Sequence, residues 1–529
     1  RVQDEDVSQL QRRGLPRVIS LLLATRGIVG DAVDCFLDPS LASLGDPYRL
    51  PGVREAAARL WQAIRCREPI VVHGDYDTDG VSATCLLAWV LRQNGAEVKC
   101  FLPHRVDDGY GFTPESLQKA VADTGARLLV TVDCGVTSIA AVAAAARLGV
   151  EVIVTDHHEP ISGTRPAAAV VINPKLQPET ADLAILAGVG VAFKLCHGFL
   201  KFGREQGFGG EQPDLREGLD LVALGTIADI VPLTGENRIL VRHGLQVLQR
   251  QRRPGIRALC ESARLETTIK PPQVAFHLAP RLNAAGRLGH PDLALALLTA
   301  DSMTTAHSFA RQLDECNRQR QAAENLIYAE AEAQLRQFPE ADRSHALVVA
   351  GNDWHLGVIG IVASRLARDY HRPAMVLSIG SEQVVGSGRS IDGLDLIAVL
   401  GDCADLTERF GGHPMAAGVS LAERHLPEFR RRFVAAVRSR LQPHQLIPHH
   451  YYDGDAQLAE INDDYFAGVE GLEPFGNGNP RPVFRFNRLR PDRLATAAER
   501  HSRGLLVDDA NQSLPFIAFG RGLGTLPGG

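Results

Sequence analysis

The 529-residue sequence contains no Cys-x-x-Cys pair, although it has nine cysteines. The cysteines are dispersed and odd in number, which argues against a disulfide framework and against a cysteine-rich zinc site. No apolar run reaches about 18 residues, the length that spans a membrane as a helix, and no signal-peptide pattern is present. We therefore expect reduced thiols, a cytoplasmic location and no membrane partner.

A dinucleotide-binding fingerprint is missing as well. Gly188-Val189-Gly190 is the nearest match, but it follows an Ala- and Leu-rich helical pattern and lacks the third glycine. The sequence therefore gives no reason to expect a nicotinamide or flavin dinucleotide cofactor.

The chain also lacks a positive net charge, because 62 acidic residues outnumber 56 basic ones and leave −6. Proteins that bind nucleic acids contact phosphate largely through Lys and Arg. However, six of the aspartates lie in the clusters described next, and two bound divalent cations would bring the formal charge from −6 to −2. Basic residues are also concentrated at 250–253 and 430–440, either as solvated helix faces or as DNA contacts. The net charge therefore does not exclude a nucleic acid partner.

Four clusters of acidic and histidine residues carry the chemistry. Three follow short apolar runs directly: 73–80 (HGDYDTDG), 133–135 (DCG) and 156–158 (DHH). The fourth is Asp229, after an apolar run that could end a helix. Open parallel sheets bind ligands outside the carboxyl ends of their strands, so the first three clusters should converge there. Each cluster alone is an ordinary turn sequence, but their combination favours a ligand site.

The residue types favour a divalent-metal site. Crowded carboxylates raise one another's pKa values unless cations neutralise them. Carboxylates with one or two imidazoles suit Mn²⁺ or Mg²⁺, whereas structural zinc prefers cysteine. Two such ions about 4 Å apart would stabilise the attacking and leaving oxygens of a phosphoester displacement. The adjacent His157 and His158 are hard to explain as core, because neighbouring strand residues point to opposite faces.

The periodicity predicts an α/β protein. Residues from about 48 to 175 alternate apolar strands with helical patterns, which is typical of a doubly wound parallel sheet, and a mostly helical portion follows. Asp301 is the expected N-cap of 302–338, a stretch without Gly or Pro. A helix of that length would span about 50 Å and could join two lobes. Strand and helix signals recur between 345 and 440, and short strand-like runs follow.

The ordered motifs GDYDTDG, VDCG, TDHH and ADIVPL resemble those of the DHH phosphoesterase superfamily. Four further segments are similar to the RecJ family of single-strand-specific 5′→3′ DNA exonucleases: PRLNAAGRL from residue 280, WHLGVIG from 354, GHPMAAG from 412 and EPFG from 473. The resemblance runs from about residue 40 to about 519. It implies a DHH domain, a long connecting helix, a second α/β domain of DHHA1 type and a C-terminal OB-like β-barrel. The predicted boundaries are 1–47 for an N-terminal helical segment, 48–300 for the DHH domain with its helical extension, 301–340 for the helix, 341–442 for the DHHA1-type domain and 449–529 for the OB-like domain.

The resemblance also implies roles at the metal site. His158 is expected at or beside the metals, where it would assist proton transfer or stabilise the transition state. Asp79 and Asp156 are further catalytic candidates, either as ligands or as carboxylates that orient the ligands. The metal ligands that the resemblance implies are Asp75, Asp77, Asp133, His157 and Asp229.

Candidate DNA contacts are less specific. Ser387 to Arg389 offers a small turn with a hydroxyl and a guanidinium for a terminal phosphate, or simply a tight turn. Small residues around His413 would let a nucleotide backbone approach, with helix-capping glycines as the alternative. Phe112 is either a base-stacking ring or a core residue. The full set of candidates is Arg105, Tyr110, Phe112, Arg281, Asn283, Arg287, Ser387, Gly388, Arg389 and His413.

The function implied by the resemblance is a metal-dependent exonuclease that degrades single-stranded DNA to 5′-mononucleotides in repair and recombination. We expect a monomer, with a single-strand-binding protein and other repair factors as partners. One alternative is a DHH phosphodiesterase or pyrophosphatase acting on dinucleotides or short oligonucleotides, whose usual two-domain form lacks the barrel. Another is a non-catalytic DNA-binding scaffold, which would have no need to keep the metal-binding aspartates.

Overall fold

The computed structural model describes residues 4–104, 111–122, 124–208, 210, 212–265, 268–288, 291–381, 383–497 and 501–519. The first elements are three short helices: α1 (Asp4–Arg12), α2 (Arg17–Thr25) and α3 (Ala32–Leu37). Their buried side chains, such as Leu10 and Leu22, pack with Leu472 and Phe475 of the C-terminal part. The two ends of the described chain therefore share one small hydrophobic core.

A parallel sheet lies at the centre of the next portion. Its strands are β1 (Ile70–Gly74), β2 (Val98–Phe101), β3 (Leu128–Val132), β4 (Glu151–Thr155) and β5 (Val170–Ile172). They are arranged in the order β2-β1-β3-β4-β5, and every neighbouring pair is parallel. The accompanying helices are α4 (Val53–Cys66), α5 (Thr78–Gln93), α6 (Pro114–Val121) and α7 (Ile139–Arg147).

Helices cover both faces of this sheet. Ile70 and Val72 of β1 belong to one hydrophobic cluster, together with side chains of α4 and α5. Val71 points to the opposite face and packs with Leu117 of α6 and Ala141 of α7. Successive strand residues alternate between faces, so an all-apolar strand requires a layer on each side. The predicted doubly wound parallel sheet is confirmed.

The predicted helical portion is also present. It comprises α8 (Gly188–Gln206), α9 (Leu219–Ala228), α10 (Gly235–Gln249), α11 (Pro254–Ser262), α12 (Pro271–Gln273), α13 (Ala279–Arg287) and α14 (Asp292–Leu298), with a π-helical turn at Val274–Leu278 before α13. Within the described residues, no helix is both long and apolar enough to cross a membrane.

The long helix α15 (Met303–Gln337) connects two lobes, as predicted. Its first turns bury Ala306 and Leu313 in the core beneath the parallel sheet, and its last turns bury Ile327 and Leu335 in the core of the second lobe. The prediction that Asp301 is its N-cap is wrong. Ser302 is the N-cap instead, because it has extended backbone angles and its hydroxyl accepts a hydrogen bond from the Thr305 amide at 3.2 Å.

The second lobe has a mixed five-stranded sheet in the order β6-β7-β8-β10-β9. β6 and β7 are parallel, and the other pairs are antiparallel. The predicted strands and helices of this region are confirmed. Their bounds are α16 (Glu340–Arg343), β6 (Leu347–Asn352), α17 (Leu356–Tyr370), β7 (Ala374–Ile379), β8 (Val384–Arg389), α18 (Leu396–Gly401), β9 (Arg409–His413), β10 (Ala416–Leu421) and α19 (Leu426–Arg440).

The C-terminal part contains two small sheets. β11 (Gly454–Asp455) and β12 (Phe484–Arg485) pair in parallel and flank α20 (Asp463–Leu472). β13 (Arg490–Ala497), β14 (His501–Val507) and β15 (Ser513–Ala518) form an antiparallel meander. This part also contacts α10, where the buried guanidinium of Arg238 donates to the carbonyl oxygens of Phe36, Gly471 and Leu472 at 3.0 Å.

Candidate active site

Three aspartates meet at the carboxyl ends of β1, β3 and β4, as the sequence predicts. Asp75, Asp133 and Asp156 each follow the last residue of their strand and are only 1–2% exposed. Asp133 has a φ of +61°, in the left-handed region that non-glycine residues rarely adopt. Such conformations cost free energy and are typical of functional sites. The edge of the sheet therefore concentrates negative charge in a place where water is excluded.

Asp77 and Asp79 lie at the start of α5. The Asp77 carboxylate accepts hydrogen bonds from the amides of Asp79 and Gly80 at 2.9 and 3.1 Å, so it is the N-cap of the helix. Helix α5 consequently begins at Thr78. A helix N-terminus favours nearby negative charge, which helps to hold these carboxylates in place.

The Asp79 carboxylate reaches the start of a second helix. It accepts hydrogen bonds from the backbone amides of Gly188 at 2.7 Å and Val189 at 2.9 Å, which open α8. Gly188 also packs against Asp133: a β-carbon there would lie 2.6 Å from Asp133 Cγ. Sequence reasoning missed this role of Gly188. The signal was the Gly-Val-Gly pattern, which was considered only as a dinucleotide motif.

Asp156 orients the two histidines that follow it. Its carboxylate accepts hydrogen bonds from the amides of Val136 at 2.8 Å and His157 at 2.7 Å, and it lies 2.8 Å from Nδ1 of His158. Burial would raise the pKa of Asp156, but the hydrogen bond and positive charge of His158 lower it below its usual value overall. Burial likewise opposes protonation of His158. The hydrogen bond and negative charge of Asp156 outweigh the effect of burial and raise the pKa of His158 to about 9. His158 is therefore protonated at neutral pH in the metal-free protein.

The pKa of His157 shifts in the opposite direction to that of His158. Burial, followed by the positive charge of His158, lowers its pKa to about 4, so its imidazole is neutral near pH 7. Its Nε2 lies 3.1 Å from Asp133 Oδ1 and 3.6 Å from Asp229 Oδ2. A neutral imidazole nitrogen between two carboxylates is the form that binds a metal ion.

Asp229 completes the cluster from a different element. It is the C-cap of α9, which confirms the expected helix end. Burial and the charge of Asp77 raise the pKa of Asp229 to about 7. Burial and Asp77 raise the pKa of Asp75 to about 7 as well, and burial with neighbouring aspartates raises the pKa of Asp79 and Asp133 well above the usual value.

These residues fit divalent cations. Asp133 Oδ1 and His157 Nε2 are buried and form no hydrogen bond with any described residue, so both have a lone pair available for a metal. Cations would also relieve the repulsion that raises the aspartate pKa values. Asp133 and His157 each belong to two candidate ligand groups. The groups, whose potential ligand atoms lie within 4.8 Å of one another, are Asp133/His157/His158, Asp79/His157/Asp229 and Asp75/Asp77/Asp133.

The raised pKa values predict how metal and pH affect stability. Asp75 and Asp229 titrate near pH 7 when folded and near pH 4 when unfolded, so the metal-free fold loses stability as the pH rises between these values. His157 opposes this trend up to about pH 6.5, its usual pKa. His158, whose pKa is raised from 6.5 to about 9, adds to the fall above pH 6.5, so the loss of stability continues to about pH 8. We expect the Tm in EDTA to drop from pH 6.5 to 8, and the Tm increase caused by Mn²⁺ to grow over the same range. Thermal unfolding across this pH range checks both trends, and a Mn²⁺ effect independent of pH would contradict the cluster assignment.

The candidate DNA contacts fall into different settings. Arg105 and Tyr110 lie outside the described residues. Phe112 is 3% exposed and packs edge-on against His73 in the core, so the stacking interpretation is wrong for this ring, which has no free face for a base.

Two further candidates, Arg281 and Asn283, have partners within the protein. Arg281 is paired with Asp314 of α15 at 3.1 Å. Asn283 Oδ1 accepts hydrogen bonds from the amide and hydroxyl of Thr78 at 2.7 Å, which supports the start of α5.

Arg287 lies where the two lobes touch. It donates a hydrogen bond to the carbonyl oxygen of Gly357, the second residue of α17, at 3.2 Å. Gly357 has no room for a side chain, because a β-carbon would overlap the Arg287 carbonyl oxygen. The contact places Arg287 at the junction between α13 and the second lobe.

The predicted turn at 387–389 is wrong, because these residues are part of β8. Gly388 faces the core, where a β-carbon would lie 2.7 Å from Met375 Cε. Ser387 and Arg389 share the opposite face, with Arg389 Nη1 3.2 Å from Ser387 Oγ. Arg389 also lines a cleft of about 490 Å³ together with Arg368 and His371. A hydroxyl and a guanidinium on one strand face still suit a phosphate.

The last candidate, His413, is exposed at the end of the edge strand β9.

Three family models match the chain. They are the DHH family N-terminal domain at residues 69–226, the DHHA1 domain at 343–441 and the RecJ OB domain at 452–525. The five metal-ligand candidates lie at the carboxyl edge of the first domain or, for Asp229, just after it. The predicted order of the three folded parts is therefore confirmed.

Curated relatives match most of the chain. The single-stranded-DNA-specific exonuclease RecJ of Dickeya dadantii is 40% identical over 94% of this chain and 89% of its own length. The RecJ exonuclease of Escherichia coli is 39% identical over 92% of this chain and 86% of its own length. The Bacillus subtilis RecJ exonuclease is 35% identical over 98% of this chain, and the chain spans 65% of that relative.

Solved structures agree with these matches. RecJ from Thermus thermophilus in complex with Mn²⁺ superposes with a TM-score of 0.83 at 34% identity, covering 99% of this chain and 73% of that one. The same protein in complex with Mg²⁺ gives a TM-score of 0.76 at 32% identity, covering 99% and 72%. Because the fold, the motifs and the sequence identity all agree, the chain belongs to the RecJ family of DHH-domain proteins.

Proposed function

We propose that this chain is a metal-dependent exonuclease that degrades single-stranded DNA from the 5′ end and releases 5′-mononucleotides. The observation that carries the proposal is the largely buried cluster of five aspartates and His157, with His158 beside it, at the carboxyl edge of the parallel sheet. The relatives named as single-stranded-DNA-specific exonucleases support the choice of substrate. Mn²⁺ or Mg²⁺ is the proposed cofactor, since both ions occur in structures of a similar protein.

The side chains have separate tasks in this proposal. Asp75, Asp77, Asp133, His157 and Asp229 would hold two cations. When bound, such cations lower the pKa of a water nucleophile and offset the charge that develops on the phosphate oxygens. Asp79 keeps the start of α8 against Asp133 through its two hydrogen bonds. The Gly188 backbone thus closes the site beneath Asp133.

His158 and Asp156 act as a pair. Asp156 holds the imidazole through Nδ1 at 2.8 Å and favours its protonated form. A fixed imidazolium beside the cluster can donate a hydrogen bond to a non-bridging phosphate oxygen or a proton to the leaving oxygen. Asp156 is therefore a positioning residue, whereas His158 contacts the reacting group.

The DNA strand would run between the lobes. Arg287 lies at their junction, and Ser387 with Arg389 offers a phosphate site on β8. His413 and the C-terminal β meander provide further exposed surface, and an OB domain suits single strands through stacking and charge. Arg105, Tyr110, Arg281 and Asn283 remain candidates for the same path.

We further propose that the protein acts as a cytoplasmic monomer in DNA repair and recombination, with a single-strand-binding protein and other repair factors as partners. The proposed domains are 1–47, 48–300, 301–340, 341–442 and 449–529. The core shared by α1–α3 with Leu472 and Phe475 indicates that the first and last of these parts fold together.

The test is degradation of an internally labelled single-stranded oligonucleotide with Mn²⁺, using strands blocked at the 5′ or the 3′ end. We expect the 5′ block alone to prevent digestion, and Asp133→Asn to show no digestion of either strand. Digestion that fails only with the 3′ block would overturn the polarity. If long strands survive while dinucleotides are hydrolysed, the small-substrate phosphodiesterase is correct; binding of DNA without hydrolysis of either substrate would indicate a scaffold.

A further inference from the structure

A turn at residues 476–479 of the C-terminal part is hydrogen-bonded to the segment 230–233, which follows Asp229. The Asn477 side-chain amide donates a hydrogen bond to the carbonyl oxygen of Ile230 at 2.7 Å. The Asn477 carbonyl oxygen accepts a hydrogen bond from the Leu233 amide at 2.8 Å. Both ends of the segment 230–233, which separates α9 from α10, are thus tied to one residue that lies more than 240 positions away in the chain.

The turn is itself held firmly. Gly476 and Asn479 form a two-residue β-bridge, and Asn479 Nδ2 donates to the carbonyl oxygens of Leu472 and Pro474 at 2.9 Å. The guanidinium of Arg26, the C-cap of α2, contacts the Asn479 side-chain oxygen and donates to the Pro480 carbonyl oxygen at 2.8 Å. Asn477 is therefore presented on a rigid support.

The turn also packs closely against the segment 230–233. A β-carbon on Gly476 would lie 2.6 Å from Leu233 Cδ1, and one on Gly478, whose φ is +70°, would lie 3.0 Å from Pro232 Cβ. Leu233 is only 2% exposed beneath the turn. The fit leaves the segment little freedom while the turn is in place.

Ile230 needs such support. Its φ is +61°, a left-handed conformation that is particularly unfavourable for a β-branched residue, and its side chain is 70% exposed. Packing of its own side chain therefore does not compensate for the strain. Strained conformations persist only where the surrounding structure holds them. Because Ile230 follows Asp229 directly, relaxation of its backbone would turn the Asp229 carboxylate relative to His157.

We propose that Asn477 is a positioning residue for the metal site, and that the C-terminal part thereby completes a centre whose ligands all lie in the DHH portion. The proposal rests on the proposed function insofar as Asp229 binds a metal ion. It does not require DNA hydrolysis. In this view, the C-terminal part serves the metal site as well as the DNA strand.

The experiment is a Mn²⁺ titration of the metal-free full chain, in which the electron paramagnetic resonance signal of free Mn²⁺ reports binding. We expect Asn477→Ala and Asn477→Asp to weaken Mn²⁺ binding about three- to tenfold, the range that corresponds to one lost hydrogen bond. Asn477→Asp keeps the shape but cannot donate to the Ile230 carbonyl oxygen. The control is Asn487→Ala, an exposed residue of the same part whose side chain forms no hydrogen bond with the described residues.

Two further measurements separate positioning from plain stability. The Tm of each variant in EDTA should stay near that of the wild type, whereas a merely structural role would lower the Tm and leave Mn²⁺ affinity unchanged. Ile230→Asn should restore part of the affinity in the Asn477→Ala protein, because asparagine tolerates the left-handed conformation. Mn²⁺ binding by Asn477→Ala equal to the wild type would overturn the proposal while leaving the exonuclease untouched. If the wild type bound no Mn²⁺, both the proposal and the metal-dependent function would fail.

Discussion

Replacing Asp133 by asparagine is expected to slow DNA degradation by about a thousandfold or more, as the loss of several kcal/mol of transition-state stabilisation by cations implies. The same change should make the metal-free protein more stable at pH 8. Burial and the charges of Asp79 and Asp77 raise the pKa of Asp133 well above its usual value, so the ionised group destabilises the fold. Exonuclease rates with Mn²⁺ and thermal unfolding in EDTA measure the two effects.

Asp31→Asn is the matched control for this prediction. Asp31 is exposed and makes no capping hydrogen bond to α3, so neither rate nor stability should change appreciably. An Asp133→Asn protein that keeps its activity would refute the assignment of this residue as a ligand. A lower Tm in EDTA would refute the claim that the carboxylates repel one another.

Replacing Gly188 by alanine is expected to reduce the exonuclease rate by about 10²-fold, the scale that a displacement of about 1 Å can cause in an active site. The new methyl group would meet Asp133 at 2.6 Å from Cγ and closer still to Oδ1. Either the carboxylate or the start of α8 must move, and a shift of α8 breaks the hydrogen bonds to Asp79. Steady-state kinetics and Mn²⁺ titration measure the loss.

Gly190→Ala tests whether the effect is specific to this position. Gly190 lies two residues further along α8, and a β-carbon there would lie 3.2 Å from the end of the flexible Leu186 side chain. Alanine also favours helix over glycine, so little loss is expected. Equal losses in both variants would show that glycine matters for α8 as a helix rather than for its contact with Asp133.

The local pattern of apolar, acidic and helix-breaking residues was sufficient to predict much of the fold. Apolar runs followed at once by acidic or histidine residues marked the carboxyl ends of β1, β3 and β4, because a strand buried on both faces must be almost continuously apolar. The absence of Gly and Pro from 302–338 marked α15, because these residues are the ones that interrupt helices. Its N-cap was assigned one residue too early, since Asp301 and Ser302 are both good caps and only the backbone angles distinguish them.

The local sequence pattern was insufficient to predict the environment of a residue whose packing or pairing partners lie far away in the chain. Whether Phe112 stacks on a base or packs in the core depends on α6 and His73, which surround it. Ser387 to Arg389 has turn-like composition although it belongs to one of the predicted strands, and pairing with β7 and β10 decides for the strand, with a glycine beneath Met375. Such pairings depend on neighbours that periodicity within a short window does not contain.

The sequence by itself therefore determined the parallel-sheet fold, the long helix and the motifs that meet at the carboxyl edge of the sheet, because each strand, helix and motif is encoded by residues close together in the chain. Only the tertiary structure decided how that cluster is supported. Asp79 is held by amides 109 and 110 positions away, and Asp229 is followed by a strained residue tied to Asn477. These contacts join separate elements whose relative placement results from packing of the whole chain, so no local motif could reveal them.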